Sequence, residues 1–190
     1  PAGVFNVVQG AVPTAEKLVT HAGIDAILFT GSVPVGQRIV AANAHRPGLL
    51  VALELGGKNA SLVMDDCDLE RTVRELAFSG FATAGQRCTA TSRVIVTKGI
   101  APRLIERLAV AAKSVRVGHV FDDGVFMGPV ISEATRKHLL MAQAKALNAG
   151  FEAVAPGGVL ETGKNGFYVR PAVHVARPGV KSVAGYTEQQ

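Results

Sequence analysis

Ala26-Ile27-Leu28-Phe29-Thr30-Gly31-Ser32-Val33-Pro34-Val35-Gly36 is the stretch that decides the fold. Its opening, Ala26–Thr30, is short and apolar and reads as a buried strand. Gly31-Ser32 turns the chain, and Pro34 falls where a helix begins, because a first-turn proline gives up no helical hydrogen bond. That helix runs toward Pro47, and Leu49–Leu55 follows as a second apolar strand. Upstream, Val4–Val8 reads as another short strand, broken at Gly10, before Pro13 opens a helix that Gly23 stops. Strands and helices in strict alternation predict a parallel sheet with crossover helices, an α/β fold.

Beyond Gly56-Gly57 the rhythm changes, and the double glycine marks the expected boundary between an N-terminal part, 1–55, and a longer part, 56–190. Ala60–Met64 reads as a strand. Asp68 is placed to cap a helix reaching about Thr83, with Leu69, Val73, Leu76 and Ala77 on one face. Thr91–Val96 is extended, and Ala101–Val115 is an amphipathic helix with Leu104, Ile105, Leu108 and Ala112 inward. Ser132 caps a further helix that ends at Gly150, and short strands follow around Glu152–Ala155 and Tyr168–Val175.

The 190 residues are 48% hydrophobic, enough to build a core. Aromatics are 5% with no Trp, which argues against a carbohydrate or base-stacking surface. The formal charge of +5 is scattered rather than striped, so nucleic acid is not the expected partner. No apolar run reaches a membrane span. The N-terminus lacks a secretory pattern and an initiator Met, which points to a fragment or to a domain cut from a longer chain, and the cysteine usage fits a reducing cytoplasm. Cys67 and Cys88 form no CxxC pair and have no His at ligand spacing, so neither a disulfide framework nor a metal site is expected.

The two cysteines differ in their surroundings. Cys67 lies in Asp65-Asp66-Cys67-Asp68, where three carboxylates disfavour a thiolate. Cys88 lies in Ala84-Gly85-Gln86-Arg87-Cys88-Thr89, beside a guanidinium and after a glycine that permits a tight turn. This suits an exposed, activated thiolate; the alternative is a small buried hydrophobe. Glu54 closes an apolar strand, where a carboxylate is costly unless paired or used, so it either has a functional use or is the partner of Lys58 or a nearby arginine. Gly31–Gly36, at a strand-to-helix turn, offers free N–H groups to a phosphate, though Val33 stands where the usual dinucleotide fingerprint has glycine; a plain turn is the alternative. The five histidines fall in no motif.

Taken together, Phe29-Thr30-Gly31-Ser32, Glu54-Leu55-Gly56-Gly57-Lys58-Asn59 and Gly85-Gln86-Arg87-Cys88 resemble the aldehyde dehydrogenase superfamily, in order and in spacing. Asn6–Gly10, Gly128-Pro129-Val130-Ile131 and Gly166-Phe167-Tyr168 agree with it, so the resemblance covers essentially the whole chain. It implies an α/β fold in two halves: 1–55 as the second half of a cofactor domain and 56–190 as most of a catalytic domain. It implies Cys88 as nucleophile, with its backbone N–H facing the oxyanion, and Glu54 as general base. Gly31, Ser32, Val33, Pro34, Val35 and Gly36, with Gly10 and Leu55, are implied to line a cofactor, NAD or else NADP. A small aldehyde substrate and a homodimer or tetramer are implied as partners. Several stretches most resemble the branch acting on N-succinylglutamate 5-semialdehyde, while aminoadipic and ketoglutaric semialdehyde branches match Gly85–Thr89 nearly as well. Arg87 suits an acidic semialdehyde, or else makes a structural ion pair. The competing readings are a CoA-acylating relative, which Glu54 opposes because hydrolysis needs the base, and a non-catalytic fragment.

Overall fold

The computed structural model describes residues 1–180 and divides the chain into two compact units, Pro1–Gly56 and Gly57–Gln190.

In the first unit α1 (Val12–Val19) precedes β1 (Ala26–Gly31), α2 (Val33–Asn43) and β2 (Leu50–Leu55). β1 and β2 pair in parallel, Ala26 opposite Leu50 through Gly31 opposite Leu55, with α2 as the crossover. Pro13 and Pro34 both stand in the first turn of their helices, as the sequence predicts. α2 stops at Asn43, a turn before Pro47, where the Asn43 amide donates back to the Ile39 carbonyl at 2.9 Å.

Three expectations fail here. Val4–Val8 forms no strand, and Val4, Phe5, Val7 and Val8 are exposed, because no neighbouring strand meets their backbone. β1 is not buried: only Ile27 is, while Leu28 is 79% exposed, since α2 covers one face of a two-stranded sheet. Glu54 is also exposed on β2, so the cost of a buried carboxylate does not arise.

The second unit holds β3 (Asn59–Val63), α3 (Leu69–Phe81), β4 (Thr91–Val96), α4 (Ala101–Ser114), α5 (Glu133–Asn148), β5 (Glu152–Pro156) and β6 (Ala172–Val175). β3 and β4 are parallel, with a register shift after Asn59, and β5 and β6 are antiparallel. The sequence signals for the caps hold: Asp68 accepts from the Arg71 N–H and Ser132 from the Thr135 N–H, each at 3.1 Å. Val73 and Leu76 of α3 meet Leu104 and Leu108 of α4 over Val63 and Ile100, the main core of this unit. Arg107 of α4 holds both oxygens of Glu70 on α3 across the solvent side, which keeps the Glu70 carboxyl below the ordinary carboxylate range. A second cluster gathers Met127, Val130 and Val169, with Phe81 and Ala84 packed against it. Among the described residues no helix is long and apolar enough to cross a membrane.

Candidate active site

Cys88 is exposed, on the loop that joins α3 to β4. α3 stops abruptly at Phe81. Thr83 and Ala84 both take φ +55° and Gly85 takes φ +68°, so three consecutive residues are left-handed. For a residue with a Cβ this conformation costs about 1–2 kcal/mol, so the surroundings must hold the turn. Ala82 is buried, Ala84 packs against the Met127 cluster, and the Gln86 amide donates to the Thr83 carbonyl at 3.2 Å. Gly85 is obligatory: a Cβ there would lie 2.9 Å from the Gly80 carbonyl oxygen.

The cysteine loop is pinned on both sides. The Gln86 side-chain oxygen Oε1 accepts the Ile131 N–H at 3.0 Å, and the next residue back, Val130, donates its N–H to the Phe167 carbonyl at 3.0 Å. Three separate stretches of the sequence resemblance, around Gln86, Ile131 and Phe167, are thus one connected structure. On the other side the Asn59 amide donates to the Cys88 carbonyl at 2.5 Å and to the Ala90 carbonyl at 3.2 Å. Thr91, at the start of β4, ties the end of α3 to the middle of β3: its hydroxyl lies 2.8 Å from that of Ser79 and 2.9 Å from that of Ser61.

Arg87 is exposed, with its guanidinium 5.5 Å above the Phe78 ring, and Phe78 meets Phe126 edge-on at 6.1 Å. Among the described residues no carboxylate of its own unit pairs with Arg87. Lys58 is half-buried, and burial together with the Arg93 guanidinium pushes its ammonium below the usual lysine range. An open cleft of about 700 Å³ runs along β4 and β6 and is lined in part by Lys58, Arg93, His138 and Arg170, but Cys88 does not line it.

Cys67 differs from Cys88. It is half-buried against the Val73–Leu104 core. Its acidic neighbours have backbone partners: Asp68 caps α3, and Asp65 accepts the Ile100 N–H at 2.8 Å and the Thr97 hydroxyl at 2.5 Å at the start of α4.

In the first unit the strand ends bring Gly31, Glu54, Leu55 and α2 together. Thr30 pairs with Glu54 and Gly31 with Leu55, and the Gly56 N–H donates to the Gly31 carbonyl at 3.2 Å. Gly36 lets α2 approach β2, since a Cβ on it would lie 2.8 Å from Leu55 Cδ2. Ser32 is the N-cap of α2, but its hydroxyl caps nothing, and no acidic residue stands in the first turn. A helix start with an unused hydroxyl and no opposing carboxylate fits a phosphate group. Gly10 lies just ahead of α1, and a Cβ on it would meet the Thr14 side chain. Glu54 and Cys88 belong to different units.

Signals for Cys88 and Arg87 were plain in the sequence. Asn59 and Gln86 carried none beyond their places within the motifs, and Phe78 carried none, because each acts on a residue that only the folded register brings near.

A parallel strand–turn–helix in one unit and an exposed thiol on a pinned turn in the other are set in an α/β protein. The chain belongs to the aldehyde dehydrogenase family, whose pattern matches residues 1–183. It is 40% identical over 176 residues to the alpha-ketoglutaric semialdehyde dehydrogenase of Bacillus subtilis (strain 168), covering 91% of this chain and 36% of that protein. It is 39% identical over 175 residues to the betaine aldehyde dehydrogenase of Brucella ovis, with the same shares covered. Among solved structures it matches an NAD-dependent aldehyde dehydrogenase from Sinorhizobium meliloti with a TM-score of 0.87 and 32% identity, over 95% of this chain and 36% of that one. The chain thus spans about a third of the length of the relatives it matches.

Proposed function

We propose that the protein oxidises an aldehyde to a carboxylate with NAD or NADP, through a thioester on Cys88, and that Glu54 activates the hydrolytic water. The carrying observation is the exposed Cys88 on a strained turn held by Asn59 and Gln86. Residues 1–55 belong in this reading to a cofactor domain and 56–190 to a catalytic domain. Gly31, Ser32, Val33, Pro34, Val35 and Gly36 face the cofactor phosphates at the turn into α2, and Leu55 and Gly10 are the other cofactor-facing residues of this reading.

The chemistry follows from the side chains. The Cys88 thiolate attacks the aldehyde carbon, forming the C–S bond while the carbonyl π pair moves to oxygen. The Cys88 backbone N–H stabilises that oxyanion. When bound, the nicotinamide supplies the acceptor for the hydride. Collapse of the oxyanion expels hydride and leaves an acyl thioester on Cys88. Glu54 then takes a proton from water as the water attacks the acyl carbon, the C–S bond breaks, and the thiolate departs with the carboxylic acid released.

The substrate reading is an acidic semialdehyde, N-succinylglutamate 5-semialdehyde foremost, with the aminoadipic and ketoglutaric homologues as alternatives. Arg87 supports it: an exposed guanidinium next to the nucleophile, with no carboxylate of its own unit paired to it among the described residues, suits a substrate carboxylate and opposes a cationic aldehyde.

The test is Glu54→Gln in the whole protein loaded with NAD. A base of this kind contributes about 100- to 10,000-fold. The expected result is a stoichiometric burst of NADH followed by a steady state slowed by that order, with acid as the eventual product. Loss of the burst with Cys88 still reactive, or release of an acyl-CoA in preference to acid, overturns the assignment of Glu54.

A further inference from the structure

We propose that Asn59 is the positioning residue of Cys88, setting the nucleophile's geometry through its carbonyl. The inference rests on Cys88 being the nucleophile, as argued above. Asn59 opens β3 opposite Thr91, but Ala60 pairs with Arg93, so Ser92 is an extra residue in the ladder. A bulge of this kind re-aims the side chains beside it. Here it coincides with an amide turned onto the cysteine loop.

Both oxygens facing the amide are backbone carbonyls, so the NH₂ group must face them. Its two hydrogens are both used: one on Cys88 O at 2.5 Å, the other on Ala90 O at 3.2 Å. The bracketed segment is itself a turn, closed by the Ala90 N–H on Arg87 O at 3.0 Å. The Asn59 backbone is fixed in return, its carbonyl accepting the Ser92 hydroxyl at 3.2 Å. Gly57 leaves room for the amide: a Cβ there would lie 3.3 Å from Asn59 Oδ1 and 4.0 Å from Cys88 O. Holding Cys88 O fixes the Cys88–Thr89 peptide plane, and with it the direction in which Sγ leaves an otherwise exposed loop. Attack on a carbonyl carbon depends on that direction, because a reacting atom about 1 Å out of place costs on the order of 100-fold in rate.

Asn59→Asp keeps the shape and removes both donors, setting a carboxylate against two carbonyl oxygens. Asn59→Ala removes the group, and Asn59→Ser restores one shorter donor. Each variant of the whole protein with NAD is assayed for kcat and KM. In a separate experiment without substrate, the rate of Cys88 alkylation by iodoacetamide is followed against pH. The expected result is a kcat lower by roughly 10- to 100-fold in Asn59→Asp and Asn59→Ala, with KM within about threefold. The alkylation profile should be displaced in both, and Asn59→Ser should recover part of each loss. Should Asn59→Asp fail to fold, Asn59→Ala and Asn59→Ser carry the same comparison. Folded variants whose kcat and alkylation profile match the wild type, or that lose only thermal stability, overturn the proposal. Turnover surviving in Cys88→Ser would instead remove the nucleophile itself and this inference with it.

Discussion

Arg87 stands next to Cys88 with its charge over the Phe78 ring. An exposed cation–π contact is worth about 0.5–1 kcal/mol, whereas a hydrogen bond to a charged group is worth about 1.5–3 kcal/mol. A carboxylate arriving at the loop therefore outcompetes the ring, which orients the guanidinium without consuming it. Because Arg87 is exposed, solvent screening reduces the gain, and the lower end of the range applies. Arg87→Leu should lower kcat/KM for a dicarboxylic semialdehyde by about 5- to 30-fold, equivalent to about 1–2 kcal/mol. A neutral aldehyde of similar length should change by no more than about twofold. Steady-state kinetics on the two substrates checks this, and equal losses on both would move Arg87 from substrate choice to the support of Cys88.

At the scale of elements, the turn after α3 is the most demanding piece of backbone. Thr83 and Ala84 are held left-handed, and Gly85 follows with φ +68° and the Gly80 carbonyl against its open side. Gly85→Ala should destabilise the second unit by about 1–3 kcal/mol and slow alkylation of Cys88. Thermal unfolding and a labelling time course measure the two effects, and a variant indistinguishable in both would show that the turn yields freely. The sequence foretold the elements around this turn well, for identifiable reasons. α3 and α4 carry apolar faces at helical spacing, Asp68 and Ser132 cap α3 and α5, and β4 is a β-branched run bounded as expected, Thr91–Val96. The turn itself was legible only at Gly85, since Thr83 and Ala84 carry no signal for φ +55°. Nor was the reach of Asn59 across 29 positions to Cys88, which depends on a one-residue shift in a strand ladder. The strand expected at Val4–Val8 and the burial expected of Ala26–Thr30 failed for the opposite reason: their composition suits a sheet interior, and composition does not say whether a neighbour is present.

At the scale of the whole molecule, each unit carries apolar strand surface that its own elements leave uncovered. In the first, Leu28 and Leu50 are 79% and 60% exposed on a two-stranded sheet. In the second, Leu62 and Ile95 are 68% and 57% exposed on another. Two-stranded sheets are marginal in water without further cover. Burying a side chain of this size contributes about 1.5–3 kcal/mol, so four of them left in water forgo roughly 6–12 kcal/mol. That equals most of the stability of an ordinary domain, about 5–15 kcal/mol. The 190-residue chain by itself should therefore bind a hydrophobic dye such as anilinonaphthalene sulfonate strongly. It should unfold in urea over a broad transition rather than a cooperative one, while the whole protein that carries the sequence binds little dye and unfolds sharply. Dye fluorescence and urea titration followed by circular dichroism, run side by side on both, decide the matter. A sharp transition in the 190-residue chain, with a denaturant slope appropriate to its length and no dye binding, would mean that the exposed leucines and isoleucine are tolerated and that the chain is sufficient to hold the Cys88 turn alone.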